Sequence, residues 1–338
     1  MKLSVLDQTP VIHGHRVADA VAATVELAQA ADELGYTRFW CAEHHGLLGV
    51  ANPCPEVMLA RLGSVTRRIR LGSGGVMLPY YSAFKVAEQF LMLEALFPNR
   101  IDLGVGRAPG GGMATARAVS HGRYDPDAFP QQVADLATMF EGLMPDSIAP
   151  DVVLQPSVDT RPELWVLGSS DFGGRLAGRL GLRHAFAHFI APHGAEDSVR
   201  LYREEFERAA ATGDVIGRPY CAIALFVICA DTEAEAEALA AAVDLRRVQM
   251  AYGINAPIPS LEQAAGWEPD ARARMVIDRE RSRSLIGTPE QVCEGMMELR
   301  DRFQADEVMV LTVAASYAAR LRSYELLARA FGLKAGAA

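Results

Sequence analysis

Short apolar runs of about 4–8 residues alternate with longer helix-like stretches along nearly the whole chain, and this rhythm limits the folds open to it. Eight runs read as strands, at 3–6, 38–42, 69–73, 101–105, 164–167, 184–189, 222–229 and 307–312. Between them the spacing predicts helices. The stretch 17–34 keeps Val21, Val25, Ala28 and Leu34 on one stripe, and 84–97 is apolar almost all round. The stretch 197–211 is strongly charged, and 232–243 is Ala/Glu-rich with Thr232 placed to cap it. Strand and helix in strict alternation predict a parallel sheet. Eight strands match an α/β fold of the (β/α)8 TIM-barrel type, with a doubly wound open sheet as the rival.

A length of 338 residues suits either two ordinary domains or one barrel with insertions. No stretch rich in Pro, Ser or charge marks a boundary, so we expect a single domain over 1–338. Two connections exceed what a barrel needs. Residues 107–130 carry three consecutive glycines, and 250–285 carry Pro257, Pro259 and a charged run at 278–283. Such loops often cover active sites; surface insertions without a role are the alternative.

Charge and cysteine usage exclude several function classes. Asp and Glu number 42 against 33 Lys and Arg, a net charge of −9, and no basic run occurs. Nucleic acid and anionic membranes are therefore not expected partners. The five cysteines are scattered and form no CxxC pair, which argues against a disulfide framework or a zinc site. The N-terminus has no secretion-signal pattern and no apolar run reaches membrane-span length, so the expected location is the cytoplasm.

In a barrel the active site lies at the C-terminal ends of the strands, so the residues just past each strand are the informative ones. Glu43, His44 and His45 come after the second. Neighbouring residues there point to opposite faces, so the two histidines do not readily share a metal ion, and no metal site is expected. Alternation from Trp40 and Ala42 puts His44 on one face, with Glu43 and His45 on the other. A histidine at a barrel mouth suits proton handling; a hydrogen-bonded structural histidine has the same spacing.

Ser169 and Ser170 come after the fifth strand and open a helix containing Gly173. Exposed backbone N–H groups at a helix start attract anions, although ordinary capping gives the same pattern. Arg107, just past the neighbouring fourth strand, completes a plausible phosphate clamp in an otherwise acidic chain. The segment Gly104-Val105-Gly106-Arg107-Ala108-Pro109 lacks the third glycine of a dinucleotide fingerprint, which argues against an NAD site. Gly74 and Gly75 leave the third strand with a backbone that allows close approach by a flat ligand.

The stretches LDQTP at 6–10, RFWCAEHH at 38–45, RLGSGGVMLPYYS at 70–82, AEQFLMLEALFPNRIDLGVGRAPG at 87–110 and LGSS at 167–170 resemble the bacterial luciferase-like flavin monooxygenases. HAFAHF at 184–189 and IGTPEQV at 286–292 fit the same pattern. The resemblance implies a (β/α)8 barrel that binds reduced FMN. It implies a phosphate held by Arg107, Ser169, Ser170 and the backbone near Gly173, with the isoalloxazine over a cis peptide at Gly74–Gly75. His44 matches the active-site histidine of the family. Gly106 stands where luciferase carries a reactive cysteine, which argues against light emission.

The implied activity is insertion of one oxygen atom from O2 into an apolar substrate by hydroxylation or epoxidation, through a flavin C4a-peroxide. A separate NAD(P)H:flavin reductase would supply FMNH2, making a two-component system. F420-dependent hydride transfer, or flavin binding without turnover, are alternatives on the same barrel. Apolar residues on more than one face of 84–97 suggest a subunit contact, and with the resemblance they imply a homodimer.

Overall fold

The computed structural model describes residues 1–108, 110–149 and 151–334. Pro109, the last residue of the fingerprint-like segment, lies outside the described residues, as do 150 and 335–338. Nine strands run in chain order: β1 Lys2–Asp7, β2 Arg38–Cys41, β3 Arg70–Met77, β4 Ile101–Gly106, β5 Glu163–Gly168, β6 Arg183–Ala187, β7 Cys221–Cys229, β8 Ser284–Gly287 and β9 Glu307–Leu311. β1 through β7 and β9 close into an eight-stranded parallel barrel, because β6 pairs with β7, β7 with β9 and β9 with β1. The expected barrel is present, and the open-sheet rival is not.

Two features depart from the expected strand pattern. β8 pairs only with the last residues of β7, Phe226 to Cys229, and adds a ninth strand outside the closed ring. β3 runs four residues beyond the expected end, through Gly74 and Gly75 to Met77, with a register shift against β4 between Gly74 and Val76. The helix Val17–Leu34 matches its expected span, and Thr232 does cap the helix Glu233–Ala251, its side chain accepting from the Glu235 N–H at 3.2 Å. That helix runs on for eight residues past the expected end. The segment 250–285 is accordingly mostly regular, with helices Leu261–Ala265 and Ala271–Arg281. The segment 107–130 contains the helix Met113–Val119.

Alternation along each strand separates two cores. One packs the outer strand faces against the helices through Leu3, Phe39, Val105, Val166 and Phe186. The other fills the barrel interior around Trp40, Trp165, Met309 and Leu311. The floor of the barrel is ionic rather than aliphatic. Buried Arg38 donates to Asp102 at 2.7 Å and to Glu307 at 2.8 Å, and pairs with Glu163 at 3.3 Å. Trp40 Nε1 donates to Asp102 at 2.9 Å and Tyr220 Oη to Glu307 at 2.8 Å. Burial alone pushes the Asp102 carboxyl up, but Arg38 and Arg70 outweigh it and hold it below the ordinary carboxylate range. This floor closes one end of the barrel and leaves the strand C-termini as the open end. No helix among the described residues is long and apolar enough to cross a membrane.

Candidate functional site

A cavity of about 1090 Å³, counting its open mouth, occupies the C-terminal end of the barrel. All eight residues expected at the site line it: His44, Gly74, Gly75, Gly106, Arg107, Ser169, Ser170 and Gly173. Residues far apart in sequence meet here because β2, β3, β4 and β5 are consecutive neighbours in the barrel.

The end of β2 divides its side chains as alternation requires. His44 turns into the cavity, anchored by its backbone N–H to the Asn52 carbonyl at 3.0 Å, while Asn52 Nδ2 donates to the Ala42 carbonyl at 3.2 Å. Its Nδ1 is buried without a protein partner. Burial depresses the His44 pKa, outweighing the nearby Glu43, so the imidazole is neutral at pH 7.

Glu43 points the other way and is 1% exposed. His45 Nε2 lies 2.7 Å from Glu43 Oε1, Tyr81 Oη donates to the same oxygen at 2.7 Å, and the Met77 N–H donates to Oε2 at 2.9 Å. The carboxylate therefore ties the end of β2 to the end of β3. Burial and Glu43 together push the Tyr81 hydroxyl above its usual range.

At the end of β3 the Gly74–Gly75 peptide is cis. Gly75 has no room for a side chain, because a Cβ there would meet the Gly104 carbonyl oxygen at 2.6 Å, and one on Gly74 would require Leu6 Cδ1, 2.5 Å away, to move. Bare backbone is thus what this wall offers to a ligand.

The polar wall comes from β4 and β5. Arg107 is exposed and stacks on Phe172, its guanidinium carbon 4.1 Å from the ring centroid. No carboxylate pairs with it among the described residues. Ser170 stands at the N-cap position of the helix Asp171–Arg179 without a side-chain capping bond, and its carbonyl accepts from Ser198 Oγ at 3.0 Å. A Cβ on Gly173 would lie 3.4 Å from the Gly168 Cα, so the two glycines let the first helical turn sit against the strand end. An unpaired guanidinium, two hydroxyls and a helix N-terminus form a donor set suited to a phosphate.

Several lining residues escaped sequence reasoning. Phe172 stood inside a helix start, and Phe189 and Ile190 sat at the end of an expected strand that stops at Ala187. Phe129, from the 107–130 segment, also lines the cavity. No described residue of 250–285 does. That segment packs instead on the connections after β1 and β2, where Ile258 exchanges backbone hydrogen bonds with Val11 and His13 and Asn255 bonds Gly46 and Leu48. Met77, at the end of β3, lines the cavity, whereas Tyr80 and Tyr81 just beyond it do not.

Comparison with known proteins agrees with this geometry. The family model described as luciferase-like monooxygenase matches residues 1–305. The chain is 42% identical over 334 residues to the uncharacterized protein YwcH of Bacillus subtilis, covering 98% of this chain and 99% of that one. The structure of apo-MsnO8 superposes with a TM-score of 0.88 at 36% identity, over 98% of this chain and 99% of that chain. The oxygenating constituent of 3,6-diketocamphane monooxygenase from Pseudomonas putida, a type II Baeyer-Villiger monooxygenase in complex with FMN, shares the fold at TM-score 0.70 and 19% identity, over 97% of each chain. With a full-length relative above 40% identity and a family model spanning most of its residues, the chain belongs to the luciferase-like monooxygenase family.

Proposed function

We propose that the chain is an FMNH2-dependent monooxygenase, the oxygenase component of a two-component cytoplasmic system. It inserts one oxygen atom from O2 into an apolar organic substrate by hydroxylation or epoxidation. The observation that carries this reading is the convergence of unpaired Arg107, Ser169, Ser170 and Gly173 with the side-chain-free Gly74–Gly75 peptide and the neutral His44 on one cavity. Reduced FMN, when bound, supplies the two electrons that divide O2 between substrate and water.

The residues fit that cofactor. Arg107, Ser169, Ser170 and the N–H groups before Gly173 would hold the phosphate. The backbone at Gly74–Gly75 would meet the flat ring system. His44, with an unpartnered buried Nδ1, has hydrogen-bonding capacity that nothing else in the protein satisfies, and a neutral imidazole can take up or deliver a proton. Phe129, Phe189 and Ile190 would exclude water from the reacting centre. A flavin reductase would provide the reduced cofactor.

The test is NADH-driven turnover with FMN and a generic flavin reductase, screening candidate substrates by mass spectrometry for a gain of one oxygen atom. Tight F420 binding without FMN affinity would replace this reading by hydride transfer, and FMN binding with no oxygenated product from any substrate would point to a flavin-binding protein.

A homodimer is part of the proposal. On the helix Ala83–Leu96, Val86, Phe90 and Leu93 face inward, while Met92 and Leu96 are 52% and 55% exposed. Light scattering at micromolar concentration should give twice the chain mass, and Leu96→Glu should return it to one.

A further inference from the structure

We infer that the cavity receives the uncharged, apolar end of its substrate against the β6–β7 wall, where Ala185, Ala187 and Ala224 set the available width. This rests on the flavin reading above, which assigns the β3–β5 side of the same cavity to the cofactor.

Inward positions of a closed eight-stranded barrel are usually filled by bulky branched residues. Here the lower interior is filled, by the Arg38 network and by Trp40 and Trp165 in edge-to-face contact at 5.0 Å. The next layer is hollow. Ala185 pairs across the strands with Ala222, and Ala187 with Ala224, so two adjacent strands present only methyl groups at this height. All three wall alanines line the cavity, with Met309 beside them and Phe189 and Ile190 above. Leucine or valine at these positions would fill the space, so the hollow is a property of these particular side chains.

The charge distribution specifies the ligand class. Arg107 is the one lining residue with a fixed charge among the described residues, and it stands at the end of β4, two strands from β6 and three from β7. His44 is kept neutral by burial. A carboxylate or ammonium group brought against the alanine wall would lose its hydration and meet no partner, a cost that favours neutral groups. Affinity there should grow with buried methylene count, by about fourfold per methylene, until the hollow is full.

The experiment titrates the protein, with and without FMN, with n-alkan-1-ols of increasing length and with n-alkanoates of matched length, by calorimetry. FMN affinity is read separately from flavin fluorescence, and folding from thermal melts. Alkanol affinity should rise about three- to fourfold per methylene to a plateau, with alkanoates at least tenfold weaker at equal length. Ala224→Leu, and the milder Ala187→Val, should bring the plateau to shorter chains. Alkanoates binding as tightly as alkanols would overturn the proposal. So would an unchanged length profile in both folded variants. Loss of FMN binding alongside an intact alkanol profile would instead overturn the flavin reading and leave the wall assignment standing.

Discussion

The Arg107 guanidinium lies 4.1 Å from the centroid of the Phe172 ring, so a side chain at the end of β4 is held over the first turn of the helix after β5. The stacking fixes the cation beside Ser169 and Ser170 without using any of its N–H donors. Arg107→Ala should weaken FMN binding by about 1.5–3 kcal/mol, the range for a charge-assisted hydrogen bond, and leave riboflavin affinity unchanged. Phe172→Ala should have the same selectivity at smaller size, since the charge remains but its placement is lost. Fluorescence titration with the two flavins measures both; equal losses for FMN and riboflavin would remove the phosphate role.

A variant at His44 should separate binding from chemistry. The His44 ring lines the cavity, its Nδ1 has no protein partner, and burial keeps it neutral. His44→Ala should leave FMN affinity within about twofold and lower the oxygenation rate by about 10²–10⁴, the usual range for a general acid or base. In the unmutated protein the rate should fall only below pH 6.5, as the depressed pKa is crossed. Full activity of the variant in stopped-flow assays would make His44 structural.

Two glycines on β4 should respond unequally to alanine. A Cβ on Gly104 would lie 2.2 Å from the Ser73 carbonyl oxygen, a backbone atom in the β3–β4 ladder, whereas one on Gly106 would find nothing nearer than Met77 at 3.9 Å. Gly104→Ala should cost about 1–3 kcal/mol in urea unfolding, from overpacking. Gly106→Ala should change stability by less than about 0.5 kcal/mol, the size of an ordinary surface substitution.

The ionic floor gives a larger effect. Asp102 accepts from Arg38, Arg70 and Trp40 with its side chain fully buried. Asp102→Ala takes a shared carboxylate from Arg38 and Arg70, which keep Glu307 and Glu163, and leaves the Trp40 indole N–H without its acceptor, so we expect about 3–5 kcal/mol of destabilisation by chemical denaturation. The nearby Trp40, which touches both floor and cavity, should report the change in its fluorescence.

The barrel was legible because strand-forming runs are apolar on both faces and recur between helices, a signal that survives without knowledge of any contact. β8 escaped because its four residues are mostly half-buried and carry no period. The extension of β3 escaped because Gly74 and Gly75 leave no apolar signature, although they lie within the β3–β4 ladder. Arg38, Asp102 and Glu307 each stand at or near the start of an apolar run, where a charge ordinarily meets solvent. Only ring closure brings the three to one centre. At the site, Arg107, Ser169 and His44 could be placed from strand ends alone, but the Glu43 link to Tyr81 and Met77 depends on how two strand ends cross, which no spacing records.

Acid stability should be governed in part by His184. It is fully buried behind the β5–β6 pair, its Nδ1–H donates to the Val166 carbonyl at 2.9 Å, and its Nε2 has no partner. Burial, opposed only by that one hydrogen bond, pushes its pKa down from 6.5 to about 4. The unfolded chain therefore binds this proton below about pH 6.5, while the folded chain refuses it until about pH 4. Folding stability from this group is complete above pH 6.5 and is lost as the pH falls through that window, by about 3 kcal/mol at roughly 1.4 kcal/mol per pH unit. His184→Asn keeps a donor for Val166 and cannot titrate. Its unfolding free energy, measured by urea between about pH 7.5 and pH 4, should start lower than that of the unmutated protein because packing is lost. It should then decline less steeply toward acid, and parallel slopes for the two proteins would show that His184 does not set the acid limb.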